Sequence, residues 1–287
     1  MLNRLLFFLG ITFLILLVII PLYWVIKTSF SLPEEAWDLL PPKKPVLQNY
    51  LNILSFERPK TMAEVVGTYA TIPPSAFIPL INSLIVAFIT VILTLIISSF
   101  AAYNLARFTY KGKKFVSYYV LFAYIFPPFI LMVPVMFLAN VLGVLNNLFA
   151  LSFIHLTYSV PFSTYMLRGY FLSIPKELDE QAFIDGCSNF QVLLKIILPL
   201  ALPGLVTVAI FSFVYSWCDM IFSLVIIQTQ DKFTLPLYIS GLLWGGEITD
   251  PCSLSAVTVI AGLIPVILFL LIQKYVKIGL VTGAVKA

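Results

Sequence analysis

Residues 177 to 198 read ELDEQAFIDGCSNFQVLLKIIL, and they open with the densest group of acids in the chain: Glu177, Asp179, Glu180 and Asp185 within nine positions. The protein around them is 61% apolar and only 10% charged. Carboxylates do acid–base chemistry beside a histidine or a nucleophile, and they hold metals beside further ligands. The sequence supplies neither company. It has one histidine, His155, and three isolated cysteines, Cys187, Cys218 and Cys252, with no CxxC pair, which implies neither a disulfide framework nor a metal site. No GxxxxGK[ST] stretch occurs, so there is no P-loop to cradle ATP phosphates. What is left for the acids is charge-based recognition. They form either a handle for another protein or a solvated face, the usual meaning of a charge run.

Two more ionisable groups lie in apolar surroundings. His155 sits within a long uncharged run and reads as a packed or hydrogen-bonded residue rather than a pathway one. Asp219, in VYSWCDMIF, lies toward the outer end of its run, where an acid is expensive and must face the protein interior or water. Two readings stand for it: an acid paired with a neighbouring subunit, or a substrate contact shared with Tyr215 and Trp217.

The elements that must position these residues are membrane spans. Mean hydropathy is +1.03, and a run of about 20 apolar residues at helical rise crosses the hydrocarbon. Leu5 to Ile26 is one run. Val65 to Ala106 is charge-free, with Pro73, Pro74 and Pro79 keeping its first part irregular. Phe115 to Leu167, at 53 residues, must hold two spans, with the turn at NVLGVLNN, Asn140 to Asn147. Ile196 to Gln230, broken only by Asp219, and Pro251 to Gln273 complete six. The first run is longer than a signal-peptide core and lacks a small-x-small site; Tyr23, Trp24 and Lys27 finish it as an interfacial anchor.

Six spans put both termini on one side. If that side is the cytoplasm, the inner segments hold eleven Lys and Arg against six outside, five of them at or in the long first loop. Positive charge near short loops resists translocation, so the termini are expected inside. A net charge of +4 is ordinary for a membrane protein and does not indicate nucleic acid. In the long first loop, Thr28 to Ile78, repeated prolines prevent one continuous helix, with short turns expected around Gln48–Leu54. No internal repeat is evident.

The acidic stretch then lies in a cytoplasmic loop. Pro175 marks a helix start, and the first acids suit the positive end of the helix dipole. Ile174, Leu178 and Ala182 share a face, and Gly186 is placed to end the helix in a left-handed turn. A second short helix, Phe190 to Leu198, runs up to Pro199. Neither is long enough to be stable alone.

EQAFIDG followed by PLALP resembles the EAA loop of type I ABC importer permeases, which runs E-A-A, two residues, D-G, with a proline-bearing return. Glu180, Ala182, Asp185 and Gly186 match; Gln181 departs from the first alanine. The stretch NSLIVAFITVILTLIISSFAAYNLARFTYKGKK is similar to the second span and following loop of carbohydrate permeases in that family. The ending KYVKIGLVTGAVKA is similar to their GLxxGAVK tail, and the opening PLYWVIKTSF, with NYLNIL after the first span, also fits. The resemblance implies an all-α membrane protein of six transmembrane helices with a cytoplasmic coupling helix. The divisions it implies are a first helix and long extracytoplasmic loop (1–78), a five-helix core (79–275) and a cytoplasmic tail (276–287). Glu180, Ala182, Phe183, Asp185 and Gly186 would couple to the ATPase, and the tail would contact it. Trp217 and Asp219 match the W-N-E-F stretch of related sugar permeases, with Cys218 in place of the amide.

The partners implied are a second, homologous permease subunit, two ABC ATPase subunits that bind the ATP and Mg, an extracytoplasmic substrate-binding protein, and lipid. The setting implied is the plasma membrane of a bacterium or archaeon. The chain itself would have no cofactor and no enzymatic site. As to cargo, a phosphate-bearing substrate would be helped by Arg or Lys within the spans, and a polyamine by several acids. A neutral sugar needs aromatic faces and hydroxyls, which Tyr158, Tyr165, Tyr215 and Trp217 supply in part. The competing reading is an ion-coupled secondary transporter, whose folds show repeats and broken helices around ions at the midplane.

Overall fold

The structure is a computed structural model, and it describes residues 2–55, 75–244 and 250–284, with side chains up to residue 273. Arg58, Lys60, Pro73 and Pro74 of the first loop, and the end of the GAVK tail, lie outside the described residues. Among the described residues the regular elements are all helices. By contact they divide into two units, Met1–Leu80 with Leu237–Ile264, and Ile81–Pro236 with Pro265–Ala287.

In the first unit, helix α1 (Leu2–Ser29) carries its apolar side chains outward along nearly its whole length. Its end is more closely built than an interfacial anchor. Lys27 is buried, 4% exposed, and its ammonium donates to the carbonyls of Glu35 at 2.6 Å and Ala36 at 3.2 Å, 5.4 Å from the Trp24 ring centroid. The cation therefore satisfies loop carbonyls that burial would otherwise orphan. Helix α2 (Gln48–Leu54) forms where short turns were expected. Its Asn49 amide donates to the carbonyls of Ser29 and Ser31, both at 2.9 Å, tying the loop back to the end of α1.

The second unit begins within α3 (Phe77–Arg107). Pro127 and Pro128 split the next run into α4 (Lys113–Ile125) and α5 (Pro128–Val141), bent 94° from each other. A residue before proline is driven out of the helical region, and Phe126 is extended at φ −67°, ψ 127°. The turn at Asn140–Asn147 falls where the asparagines and Gly143 predict it. Asn147 caps α6 (Leu148–Ser173), accepting from the amides of Phe149 at 2.8 Å and Ala150 at 3.3 Å.

Helix α6 is the axis of this unit, with α4 and α10 (Leu202–Trp217) packed against it. The interior around it carries many small polar side chains. Thr90, Thr94, Ser152, His155, Ser159, Ser163 and Ser212 are all fully buried. The Thr94 and Ser159 hydroxyls meet at 2.8 Å, joining α3 to α6. In an apolar solvent such hydroxyls hold helices together.

Among the described residues three helices are long and apolar enough to cross a membrane, Leu6–Ser29, Phe77–Arg107 and Pro251–Gln273, the last within α13 (Pro251–Ala284), which follows α12 (Leu235–Trp244). The count rises to five if each bent pair is one span. The sixth expected span falls on α6, whose 26 residues include the buried hydroxyls that lower its hydropathy. Length and apolarity alone do not single it out.

Candidate functional site

The acidic stretch folds as α7 (Glu177–Ile184), a glycine turn and α8 (Asn189–Val192). Gly186 has φ +83°, its amide donates to the Phe183 carbonyl at 3.1 Å, and the Cys187 amide donates to that of Ala182 at 2.9 Å. These two bonds satisfy carbonyls the helix end leaves open. Ser188 then starts α8 with a capping box, its amide donating to Gln191 Oε1 at 2.8 Å. A single π-turn, Leu193–Ile197, and a short α9 (Leu198–Leu200) follow, and the chain turns 81° into α10.

α7 has two faces. Ala182, 5% exposed, joins Ile174, Phe171, Leu167, Val192, Leu193 and Ile197 in one buried cluster, with Leu178 packed beside it. Glu180, Gln181, Phe183, Asp185 and Gly186 are exposed. Of the five expected coupling residues, four are thus presented to the surroundings and Ala182 is turned into the protein. Ile184, absent from the expectation, is 85% exposed. An apolar side chain opposite the Ile174–Leu178–Ala182 stripe was the available signal, because residues two apart in a helix point to opposite sides.

The underside of α7 is pinned electrostatically. Arg107, in the last turn of α3, places Nε 2.6 Å from Asp179 Oδ2, with side-chain exposures of 6% and 9%. Its Nη2 donates to Asp179 Oδ1 at 3.4 Å and to the Ile174 carbonyl at 3.1 Å. Burial pushes the Asp179 carboxyl above the usual carboxylate range, with the Arg107 charge and hydrogen bond pulling it back. A cleft of about 180 Å³ lies alongside, lined by Arg107, Lys176, Asp179, Glu180 and Phe183 among others. Arg107 had been counted only as a positive charge, and Asp179 only as a first-turn acid.

The other expected residues lie in α10 and just after it. Trp217 is buried at 3% and stacked on Phe213 at 5.6 Å. Tyr215 is half-buried, stacked on Tyr158 at 5.5 Å and 13°. Asp219, 9% exposed, follows the end of α10 and precedes α11 (Ile221–Ile226). It has a partner within its own chain. His155 Nε2 lies 3.1 Å from Asp219 Oδ2, and the carboxylate also accepts from the amides of Phe222 at 3.3 Å and Ser223 at 3.0 Å. The acid needs compensation in an apolar interior, and here the imidazole and the start of α11 provide it.

The geometry is that of a short helix with one buried, ion-paired face and one exposed face, and of a buried acid between α10 and α11 that lies against a histidine. Among the described residues no group of three His, Cys, Asp or Glu could hold a metal. Residues 95–279 match the family model described as "Binding-protein-dependent transport system inner membrane component". The chain is 33% identical to the trehalose/maltose transport system permease protein MalG of Thermococcus litoralis, over 99% of this chain and 98% of that one. It is also 33% identical to the probable ABC transporter permease protein YurM of Bacillus subtilis, over 93% and 83%. The same fold, with TM-score 0.77 at 18% identity over 96% of each chain, occurs in the crystal structure of a bacterial ABC transporter involved in the import of the acidic polysaccharide alginate.

Proposed function

The chain belongs to the family of binding-protein-dependent transport system inner membrane components, and from that premise we propose that it is the permease subunit of an ATP-driven sugar importer, with α7 as its coupling helix. One observation carries the reading: α7 is pinned from beneath by Arg107 and Asp179 and offers Glu180, Ile184 and Asp185 outward. A short helix held on its inner face and charged and apolar on its outer face is built to receive and pass on force.

In this reading α7 inserts into a cleft on one of two ABC ATPase subunits, which bind the ATP and Mg. Closure of the ATPases drives α7, and through Arg107 the end of α3, so that the spans alternate their access. Ala182 supports the coupling helix from inside, and Phe183, Asp185 and Gly186 shape its exposed end. The chain crosses a bacterial or archaeal plasma membrane six times, α6 being one of the spans, with both termini in the cytoplasm. It pairs with a second, homologous permease and receives cargo from an extracytoplasmic binding protein. The outward apolar side chains of α1 suit lipid and that second permease. The permease hydrolyses nothing itself and holds no cofactor. A sugar cargo is supported by the names of the relatives, MalG of Thermococcus litoralis among them. An ion-coupled mechanism is disfavoured because Asp219 is committed to His155 and to the start of α11.

Co-expression with candidate ATPase and permease subunits from the same source tests this. The three chains are expected to purify together, and Ile184→Glu is expected to cut ATPase recovery at least tenfold while the permease alone keeps its detergent stability. Undiminished ATPase-driven uptake with both Asp185 and Gly186 replaced would overturn the assignment of the coupling helix.

A further inference from the structure

We propose that His155 is a positioning residue for transport, holding α10 and α11 at a fixed angle; the inference rests on the permease reading above. Helix α10 ends at Trp217 and α11 starts at Ile221. One imidazole reaches both sides of the gap. Its Nδ1 lies 2.8 Å from Ser216 Oγ, in the last turn of α10, and its Nε2 lies 3.1 Å from Asp219 Oδ2, at the head of α11. The Ser223 hydroxyl reinforces the far side by donating to Asp219 Oδ2 at 3.1 Å. His155 comes from α6, a 26-residue helix, and lies on the N-terminal side of its internal Pro161.

Water cannot take over these bonds, because His155 and Ser216 are buried. Any re-angling of α11 against α10 must therefore break or exchange a contact of the ring. The consequence reaches the face offered to cargo. Tyr215 sits beside Ser216, edge-on to the His155 ring at 6.0 Å and 83° and stacked on Tyr158, so moving the break moves its ring.

The proton count gives the junction two discrete arrangements. Ser216 has one hydroxyl proton and two acceptors in reach, His155 Nδ1 and Thr90 Oγ1 at 3.5 Å. Thr90 spends its own proton on the Ser152 carbonyl at 3.4 Å. The hydroxyl can satisfy one of these acceptors at a time, so it has two arrangements, one toward the ring and one toward Thr90. A discrete choice of this kind is what an element with two stable angles needs.

The chain has a single histidine, which makes the test unambiguous: ¹⁵N-histidine labelling of the intact complex in lipid reports His155 alone. Spectra are compared between the resting complex and the complex trapped with ATP and vanadate. The expected result is a change in the Nδ1 or Nε2 resonance between the two states. His155→Phe is expected to lower the kcat of binding-protein-stimulated ATP hydrolysis at least tenfold, with the binding protein supplied carrying its co-purified sugar. KM for that binding protein should stay within twofold, and His155→Gln, whose amide offers a donor and an acceptor, should restore part of the loss. An identical imidazole spectrum in both states, or wild-type stimulation in His155→Phe, would overturn the inference while leaving the permease reading intact. Failure of the chain to assemble with an ATPase at all would overturn both.

Discussion

Removing the Asp179 carboxylate isolates the contact on which force transmission through α7 rests. Asp179→Ala leaves the Arg107 guanidinium 6% exposed and without its counter-charge. Its Nη1 already lacks a hydrogen-bond partner, and only the bond from Nη2 to the Ile174 carbonyl survives. Breaking a buried pair by removing one member costs about 3–5 kcal/mol; the surviving carbonyl bond favours the lower end. The loss falls on the docking of α7 rather than on the whole fold. At about 1.4 kcal/mol per factor of ten, it raises the undocked fraction on the order of 100-fold.

Cys187 reports that fraction, because it follows the glycine turn and packs half-buried against the same cluster as Ala182. In a Cys218→Ser background, which removes the exposed cysteine and leaves the buried Cys252, maleimide labelling of Cys187 is expected to accelerate strongly in Asp179→Ala. Glu180→Ala, on the exposed face, is expected to leave the rate unchanged. Arg107→Met combined with Asp179→Leu is expected to return it toward wild type, since apolar replacement of both partners removes the stranded charge. Labelling of Asp179→Ala within twofold of wild type would refute the reasoning that this pair holds the coupling helix.

Two further outcomes follow from backbone and packing. A side chain at Gly186 meets nothing within 4 Å but must adopt φ +83°; Gly186→Ala should weaken the turn by about 1–2 kcal/mol and Gly186→Asn by less, read by the same cysteine labelling. At Gly204 an added Cβ would lie 2.6 Å from Tyr170 Cδ2 and Cγ, so Gly204→Ala should lower thermal stability in detergent by about 1–3 kcal/mol. Gly169→Ala, with open space around it, serves as the neutral comparison.

Much of the molecule is written in local sequence. The apolar runs fix which segments leave water, because burial of about 20 apolar residues in hydrocarbon outweighs any alternative for them. Pro175, Gly186 and the asparagines before α6 set their turns through φ restrictions and capping that need no distant partner. The alternation of apolar and charged positions in α7 made its two faces readable, short of the exposed Ile184.

What the sequence leaves open are the pairings. Arg107 and Asp179 stand 72 positions apart, and His155 and Ser216 61 apart; nothing near any of them marks which will meet. A charge buried in low dielectric must find its counterpart, yet which counterpart depends on how α3, α6 and α10 pack. The local pattern therefore told which residues were costly to bury. The tertiary structure alone decided how each cost is met, turning a lone histidine and a stray acid into a junction between α10 and α11.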